Sequence, residues 1–187
     1  MKLETSAQKI TMTAVSAAVI FVVTFVVRIP VPGGGGYLNI GDAPVYLFAY
    51  LLGGPYGALA AAIGAALSDV AGGYAVYAIA TAIIKGAMGL IVGRFASGGS
   101  LKRFILVTIL CALLMTGGYA LFEAFFFNVN YALVDIPFNL AQGAAGVIVA
   151  VVLFPAVRRL ARVSHQREPA GARQTGRPGG KDAGTGK

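Results

Sequence analysis

The 187-residue sequence has no tryptophan, one cysteine and one histidine, and only 12% of its residues are charged. Each scarcity excludes something. Cys111 stands alone in an apolar stretch, so it can form no disulfide within the chain and reads as packing. His165, just past the last apolar run, supplies neither a metal cluster nor a histidine-based acid–base pair, and its place suits a headgroup-facing role. The chain contains no G-x-x-x-x-G-K-[ST] loop and no G-x-S-x-G elbow, so it carries no recognisable apparatus for nucleotide hydrolysis or serine acyl transfer. No cofactor and no metal is implied, and any work against a gradient must be powered by a partner.

What the chain does have is apolar residues, 57% of the total, far more than one small soluble core could hold. They fall in long runs over residues 10–27, 43–71, 76–95, 104–127 and 136–160. A helix needs about 20 such residues to cross a hydrocarbon layer roughly 30 Å thick. The expected fold class is therefore an all-α integral membrane protein, multi-pass in the cell membrane. Residues 43–71 make either one helix of about 43 Å or two shorter ones broken at Gly53-Gly54-Pro55.

Charge placement chooses between five crossings and six. With six crossings and the amino terminus inside, Lys2, Lys9, Arg94, Lys102, Arg103, Arg158, Arg159 and Arg162 all fall on the cytoplasmic side, and Arg28 alone falls outside. Five crossings strand Lys2 and Lys9 on the wrong side. Six transmembrane helices with both termini cytoplasmic are expected, the second of about eleven residues borrowing length from its flanks or entering obliquely. The first apolar run is too long for a cleavable export signal and lacks a clear small-residue cleavage site, so it is read as the first helix. Residues 164–187 are rich in Gly, Arg, Lys and Pro and read as a disordered cytoplasmic tail beyond a helical domain of residues 1–163. Five basic and two acidic residues put +3 of the formal +8 in that tail, leaving +5 in the body. The basic balance reflects orientation and anionic lipid headgroups rather than nucleic acid.

Ionisable residues inside apolar helices cost several kcal/mol unless they find a partner or a cavity, which makes them candidates for function. Asp69, Lys85, Glu123 and the amide Asn139 are the four that stand out. Six crossings place all but Lys85 in the outer half and Lys85 near mid-membrane. One reading pairs Lys85 with Asp69 or Glu123 as a pin through the bundle. The other is a binding cavity, favoured because Tyr37, Asn39, Tyr74, Tyr77, Asn128, Asn130 and Gln142 map to the same side. Tyrosines with amides and carboxylates suit a ring-bearing molecule stacked on one face and hydrogen-bonded at its edge, and an anionic one could pair with Lys85. Between the first two runs, Pro30, Pro32 and Gly33-Gly34-Gly35-Gly36 lead into Tyr37-Leu38-Asn39-Ile40-Gly41-Asp42-Ala43-Pro44. Asp42 is placed to cap the second helix, with Pro44 in its first turn, while the loop closes over a ligand.

Four stretches together resemble one family, the substrate-binding S components of energy-coupling factor (ECF) vitamin transporters, particularly the riboflavin branch. They are Gly36-Tyr37-Leu38-Asn39-Ile40-Gly41-Asp42, Leu52-Gly53-Gly54-Pro55-Tyr56-Gly57, Ser68-Asp69-Val70-Ala71-Gly72-Gly73-Tyr74 and Ile84-Lys85-Gly86. The order and spacing cover roughly residues 8–160. The resemblance implies a six-helix bundle that binds a vitamin or vitamin precursor from outside and associates with a transmembrane coupling protein and two cytoplasmic ATPases. Cargoes in the branch include riboflavin, pyridoxine-like compounds and the thiamine-precursor pyrimidine, and the branch name tilts the expectation toward riboflavin. Tyr37, Asn39, Asp42, Asp69, Tyr77, Lys85, Glu123 and Asn139 are the expected substrate-binding residues. The resemblance also implies docking through small residues of the first helix, here Ala14 and Ala18, one turn apart, whereas the pair Gly89 and Gly93 reads as internal packing. Two other classes stay open: an intramembrane enzyme using Asp69, Lys85 and Glu123, which scattered single carboxylates argue against, and an assembly subunit that binds no ligand.

Overall fold

A computed structural model describes residues 5–31 and 37–166. The glycine run 33–36, Lys2 and the chain beyond residue 166, which holds most of the expected tail, lie outside the described residues. Six helices follow in order: α1 (Ser6–Val26), α2 (Asp42–Leu52), α3 (Gly54–Ala71), α4 (Ala78–Phe95), α5 (Leu101–Phe126) and α6 (Val129–Gln166). A single 3-10 turn, Ala75–Tyr77, leads into α4.

The helix boundaries have local causes. Thr5 opens α1 with a reciprocal capping box, its hydroxyl accepting from the Gln8 amide while the Gln8 side chain accepts from the Thr5 amide. Ser100 caps α5 by accepting from the Arg103 amide. Gly53 separates α2 from α3 with a φ of 83°, a conformation that side chains with a Cβ rarely adopt, and Pro55 then sits in the first turn of α3. The break thus falls where the Gly-Gly-Pro run predicts it. Between α1 and α2, the segment read from sequence as a plain loop forms a two-stranded antiparallel hairpin, β1 (Ile29–Pro30) with β2 (Tyr37–Leu38), pairing Ile29 with Leu38 and Pro30 with Tyr37.

Two helices differ from the sequence expectation in extent. The α6 helix begins at Val129 rather than near Ile136, because the Asn128 side chain accepts from the Tyr131 amide and starts the helix early; Pro137 and Pro155 then lie inside it. At its other end α6 runs on to Gln166, three residues into the stretch read as tail. The α2 helix has the expected eleven residues, about 16 Å. It neither gains length nor lies on the periphery. None of its residues is exposed, and α1, α3, α4 and α6 pack around it.

Close packing of α3 on α2 and on α4 relies on glycine. A Cβ on Gly57 would lie 2.7 Å from the Ala49 Cα, and one on Gly89 would lie 2.5 Å from the Gly57 carbonyl oxygen. The outer surface is apolar, with Val15, Ile79, Leu110, Leu121 and Val152 all exposed. Four helical stretches, residues Ser6–Val26, Ala75–Phe95, Leu101–Phe126 and Val129–Ala161, are long and apolar enough to cross a membrane. Such a belt is unfavourable in water and natural in lipid, and the chain is a multi-pass membrane protein.

Candidate functional site

A cavity of about 520 Å3, counting its open part, lies at the end of the bundle where α1, α3 and α5 finish and α2, α4 and α6 begin. Its floor is a buried ion pair. Asp42, the first residue of α2, and Lys85, seven residues into α4, form a salt bridge with Asp42 fully buried and Lys85 3% exposed. Lys85 Nζ also lies 3.0 Å from Met115 Sδ and 5.7 Å from the centre of the Tyr119 ring. Gln142 of α6 extends the network: its Nε2 donates to Asp42 Oδ2 at 3.3 Å, and its Oε1 accepts from the Asn39 backbone and side-chain amides at 3.0 and 3.3 Å. Asn39 in turn accepts from the Gly41 amide at 2.8 Å, which shapes the entry to α2.

Two expectations are corrected here. Asp42 makes no side-chain capping bond; Gly41 occupies the cap position, and the carboxylate turns inward to Lys85 and Gln142. A carboxylate at the start of a helix can serve its amides or a buried ammonium, and the full positive charge is the stronger attraction once both are out of water. Lys85 accordingly pairs with Asp42, not with Asp69 or Glu123. Its charge is already answered within the protein, which leaves an anionic ligand without the free ammonium expected for it.

One wall is organised by the hairpin. Tyr37 donates to Asp69 Oδ1 at 2.6 Å, and its ring centre lies 4.6 Å from that of Tyr74. Arg28 lies 4.8 Å from the Tyr37 ring centre and 4.3 Å from that of Phe25, and donates to the Ser68 carbonyl and hydroxyl at 2.5 and 3.0 Å. Burial, reinforced by the Asp69 charge, pushes the Tyr37 phenol well above its ordinary range, so it remains a donor at any physiological pH.

The opposite wall comes from α4, α5 and α6. Tyr77 donates to Glu123 Oε1 at 3.3 Å, and the Thr81 and Tyr119 hydroxyls are 3.0 Å apart. Phe122 and Phe127 pack around Tyr77 with ring centres 5.3 and 5.9 Å away. Asp135, Phe138 and Asn139 complete the lining from α6.

Of the eight residues expected from sequence, Tyr37, Asn39, Asp69, Tyr77, Lys85, Glu123 and Asn139 line this cavity, and Asp42 lies directly behind Lys85. Tyr74 supports the wall through Tyr37, whereas Asn128 and Asn130 are exposed and take no part in the lining. Sequence reasoning missed Thr24, Thr81, Tyr119 and Asp135. A signal existed for three of them: Tyr77, Thr81 and Lys85 are spaced by four from the 3-10 turn into α4, Tyr119 and Glu123 by four along α5, and Asp135, Asn139 and Gln142 by four and three along α6. The late expected start of α6 hid Asp135 by placing it outside the helix. Among the described residues, no group of three His, Cys, Asp or Glu side chains is arranged to hold a metal ion.

A second concavity runs along the outside between α1 and α3. Ala14, Ala18, Phe21, Leu59, Ile63 and Leu67 are among the residues lining it, and both alanines are exposed.

Residues 4–159 match the family described as ECF-type riboflavin transporter, S component. The "Thiamine precursor transporter HmpT" of Lactococcus lactis subsp. cremoris is 29% identical over 154 residues, 81% of this chain and 89% of the relative. The "Uncharacterized protein in gap 3'region" of Pyrococcus woesei is 37% identical over 129 residues, 68% of this chain and 86% of the relative. Among solved structures, the S component of a bacterial ECF transporter shares the fold at a TM-score of 0.66 and 23% identity, covering 86% of this chain and 99% of that one.

Proposed function

The chain belongs to the ECF-type riboflavin transporter S component family, a family of substrate-binding transporter subunits rather than enzymes, and from that footing we propose that its polar cavity captures a vitamin or vitamin precursor for import. The observation that carries the reading is the cavity itself. It draws polar side chains from the hairpin and five helices into one partly open cavity within an otherwise apolar bundle, which a subunit held together only by interhelical contacts has no need of.

The cavity faces outward. Lys9, Arg94, Lys102, Arg103, Arg158 and Arg159 lie on the helix ends away from it, and the positive-inside rule puts that end, with both termini, in the cytoplasm. The ligand is a small ring-bearing molecule that stacks on tyrosine and is fixed at its edges by Tyr37, Asn39, Asp69, Tyr77, Glu123 and Asn139, while Asp42 and Lys85 set the floor. Release inside depends on a transmembrane coupling protein with two ATPase subunits, since this chain carries no nucleotide-binding loop. Exposed Ala14 and Ala18 beside the α1–α3 groove let a partner's helix approach closely, which supports this face as the docking surface.

Thermal unfolding of the purified protein against a panel of B vitamins and their precursors, riboflavin, pyridoxine and thiamine-related pyrimidines included, tests the reading. A compound that raises Tm in a saturable way supports capture. No response across the panel removes it.

A further inference from the structure

Arg28 runs against the charge rule that orients the chain. Lys9, Arg94, Lys102, Arg103, Arg158 and Arg159 gather at the far ends of the helices, and Arg28 is the one basic side chain among the described residues at the cavity's rim. It does not line the cavity, and it forms no ion pair among the described residues. Its guanidinium is engaged in other ways. The guanidinium carbon lies 4.3 Å from the Phe25 ring centre and 4.8 Å from that of Tyr37, while Nη2 donates to the Ser68 carbonyl and hydroxyl. That carbonyl belongs to the last turn of α3, where backbone oxygens carry partial negative charge, and it also accepts from the Gly72 amide at 3.0 Å. The seat is cut to fit the side chain. A Cβ on Gly72 would lie 1.6 Å from Arg28 Nη1, and Gly72 has an ordinary φ of −89°, so glycine is needed there for space and not for conformation.

These contacts tie both strands of the hairpin to one helix end. Arg28 immediately precedes β1, whereas Tyr37 begins β2, pairs with Pro30 and donates to Asp69, the residue after Ser68. Arg28 and Tyr37 thus grip adjacent residues of α3 from the two strands, and the cation also holds the ring of the one that lines the cavity. We infer that Arg28 is a positioning residue of the binding site: it clamps the root of the hairpin onto the last turn of α3 and so fixes where Tyr37 stands, while touching no ligand itself. The inference rests on the capture reading and adds to it a residue outside the lining. Lysine is no substitute. A planar guanidinium stacks on rings and reaches two acceptors through its edge at once, whereas an ammonium is a strongly hydrated point charge.

The test uses the full chain in detergent and has two readouts. Hydrogen exchange followed by mass spectrometry needs no ligand: Arg28→Lys should speed exchange of the amides of residues 37–41 about tenfold and leave those of α5 unchanged. Affinity is read by calorimetry with riboflavin, pyridoxine and 4-amino-5-hydroxymethyl-2-methylpyrimidine, using whichever binds the parent. Arg28→Lys should weaken it about tenfold, the worth of one well-placed cation–π contact, and by less than about twofold in a Tyr37→Ala background. Gly72→Ala displaces the guanidinium without altering it. It should reproduce both effects in the parent and neither in an Arg28→Ala background, where the space is free. Unchanged hairpin exchange or unchanged affinity in Arg28→Lys overturns the inference, and so does an affinity loss of the same size with and without Tyr37, which would mark a general loss of structure. A parent that binds none of the probes removes capture and leaves the exchange result to judge the clamp. Should Arg28→Lys fail to fold, Gly72→Ala decides: no effect on exchange or affinity overturns the clamp.

Discussion

Replacing Asp42 with asparagine keeps the shape of the side chain and removes the counter-charge of Lys85. The ammonium is then left 3% exposed, with Met115 sulfur and the Tyr119 ring as its remaining neighbours. Removing one partner of a buried ion pair costs about 3–5 kcal/mol. The cost of a lysine at the centre of a membrane helix, about 2.5–3.5 kcal/mol on insertion scales, gives a similar figure. At about 2–4 °C per kcal/mol for a chain of this size, the single variant should lose roughly 6–20 °C of Tm. Asp42→Asn combined with Lys85→Met removes both charges and should recover to within about 1–2 kcal/mol of the parent, because the pair's attraction largely offsets its own desolvation. The assay is thermal unfolding of parent, two singles and the double in one detergent, read as a double-mutant cycle. Salt should leave the coupling unchanged, since a pair this deep is hardly screened. A single variant within about 2 °C of the parent, or a double no better than the worse single, would refute the assignment of this pair as the floor of the cavity.

Tyr37→Phe removes the donor to Asp69 and should weaken ligand binding about tenfold while leaving the stacked ring in place, measured by calorimetry; unchanged affinity would take the hairpin out of the site. Ala14→Leu with Ala18→Leu should abolish copurification with the coupling protein and spare ligand binding by the isolated chain, and equal copurification would assign docking to another face. Gly57→Val places a Cβ within 2.7 Å of the Ala49 Cα, so it should lower Tm by an amount corresponding to about 1–3 kcal/mol, an effect absent if α2 and α3 can separate freely.

Helix number and the α2–α3 break were legible because long apolar runs and Gly-Gly-Pro act locally. Most of the lining was legible too, since polar residues in apolar helices are conspicuous wherever they point. Pairing was not. Asp42 and Lys85 are 43 residues apart, Asn39 and Gln142 are 103 apart, and no local pattern says which carboxylate meets which cation. The hairpin was hidden by its brevity, two residues in each strand. Asp135 was lost through one misplaced boundary, as the apolar run begins at Ile136 while the Asn128 side chain starts the helix seven residues earlier.

The shortness of α2 is what makes room for the site. A helix of eleven residues rises about 16 Å, roughly half of the hydrocarbon thickness, and it sits inside the bundle rather than at the lipid face. Its first residue therefore lies well below the rim: Asp42 meets Lys85, about 10 Å down α4 from Ala78, and a Cβ on Gly146, far along α6, would lie 2.6 Å from the Asp42 Cβ. A full-length second helix would fill the space above Asp42 with side chains. Instead the chain descends through Tyr37, Leu38 and Asn39, where the Asn39 amide donates to Gln142 and Tyr37–Leu38 pairs with β1, partners that help an irregular segment survive at this depth. The same arrangement makes the buried charge tolerable and sets the cavity above it. Lengthening α2 by one turn at its amino end should therefore abolish ligand binding while the bundle still forms, whereas a one-turn extension at Gly53 should disturb the α2–α3 junction and leave the cavity's lining in place. Binding that survived the first insertion would show that the cavity does not depend on where α2 begins.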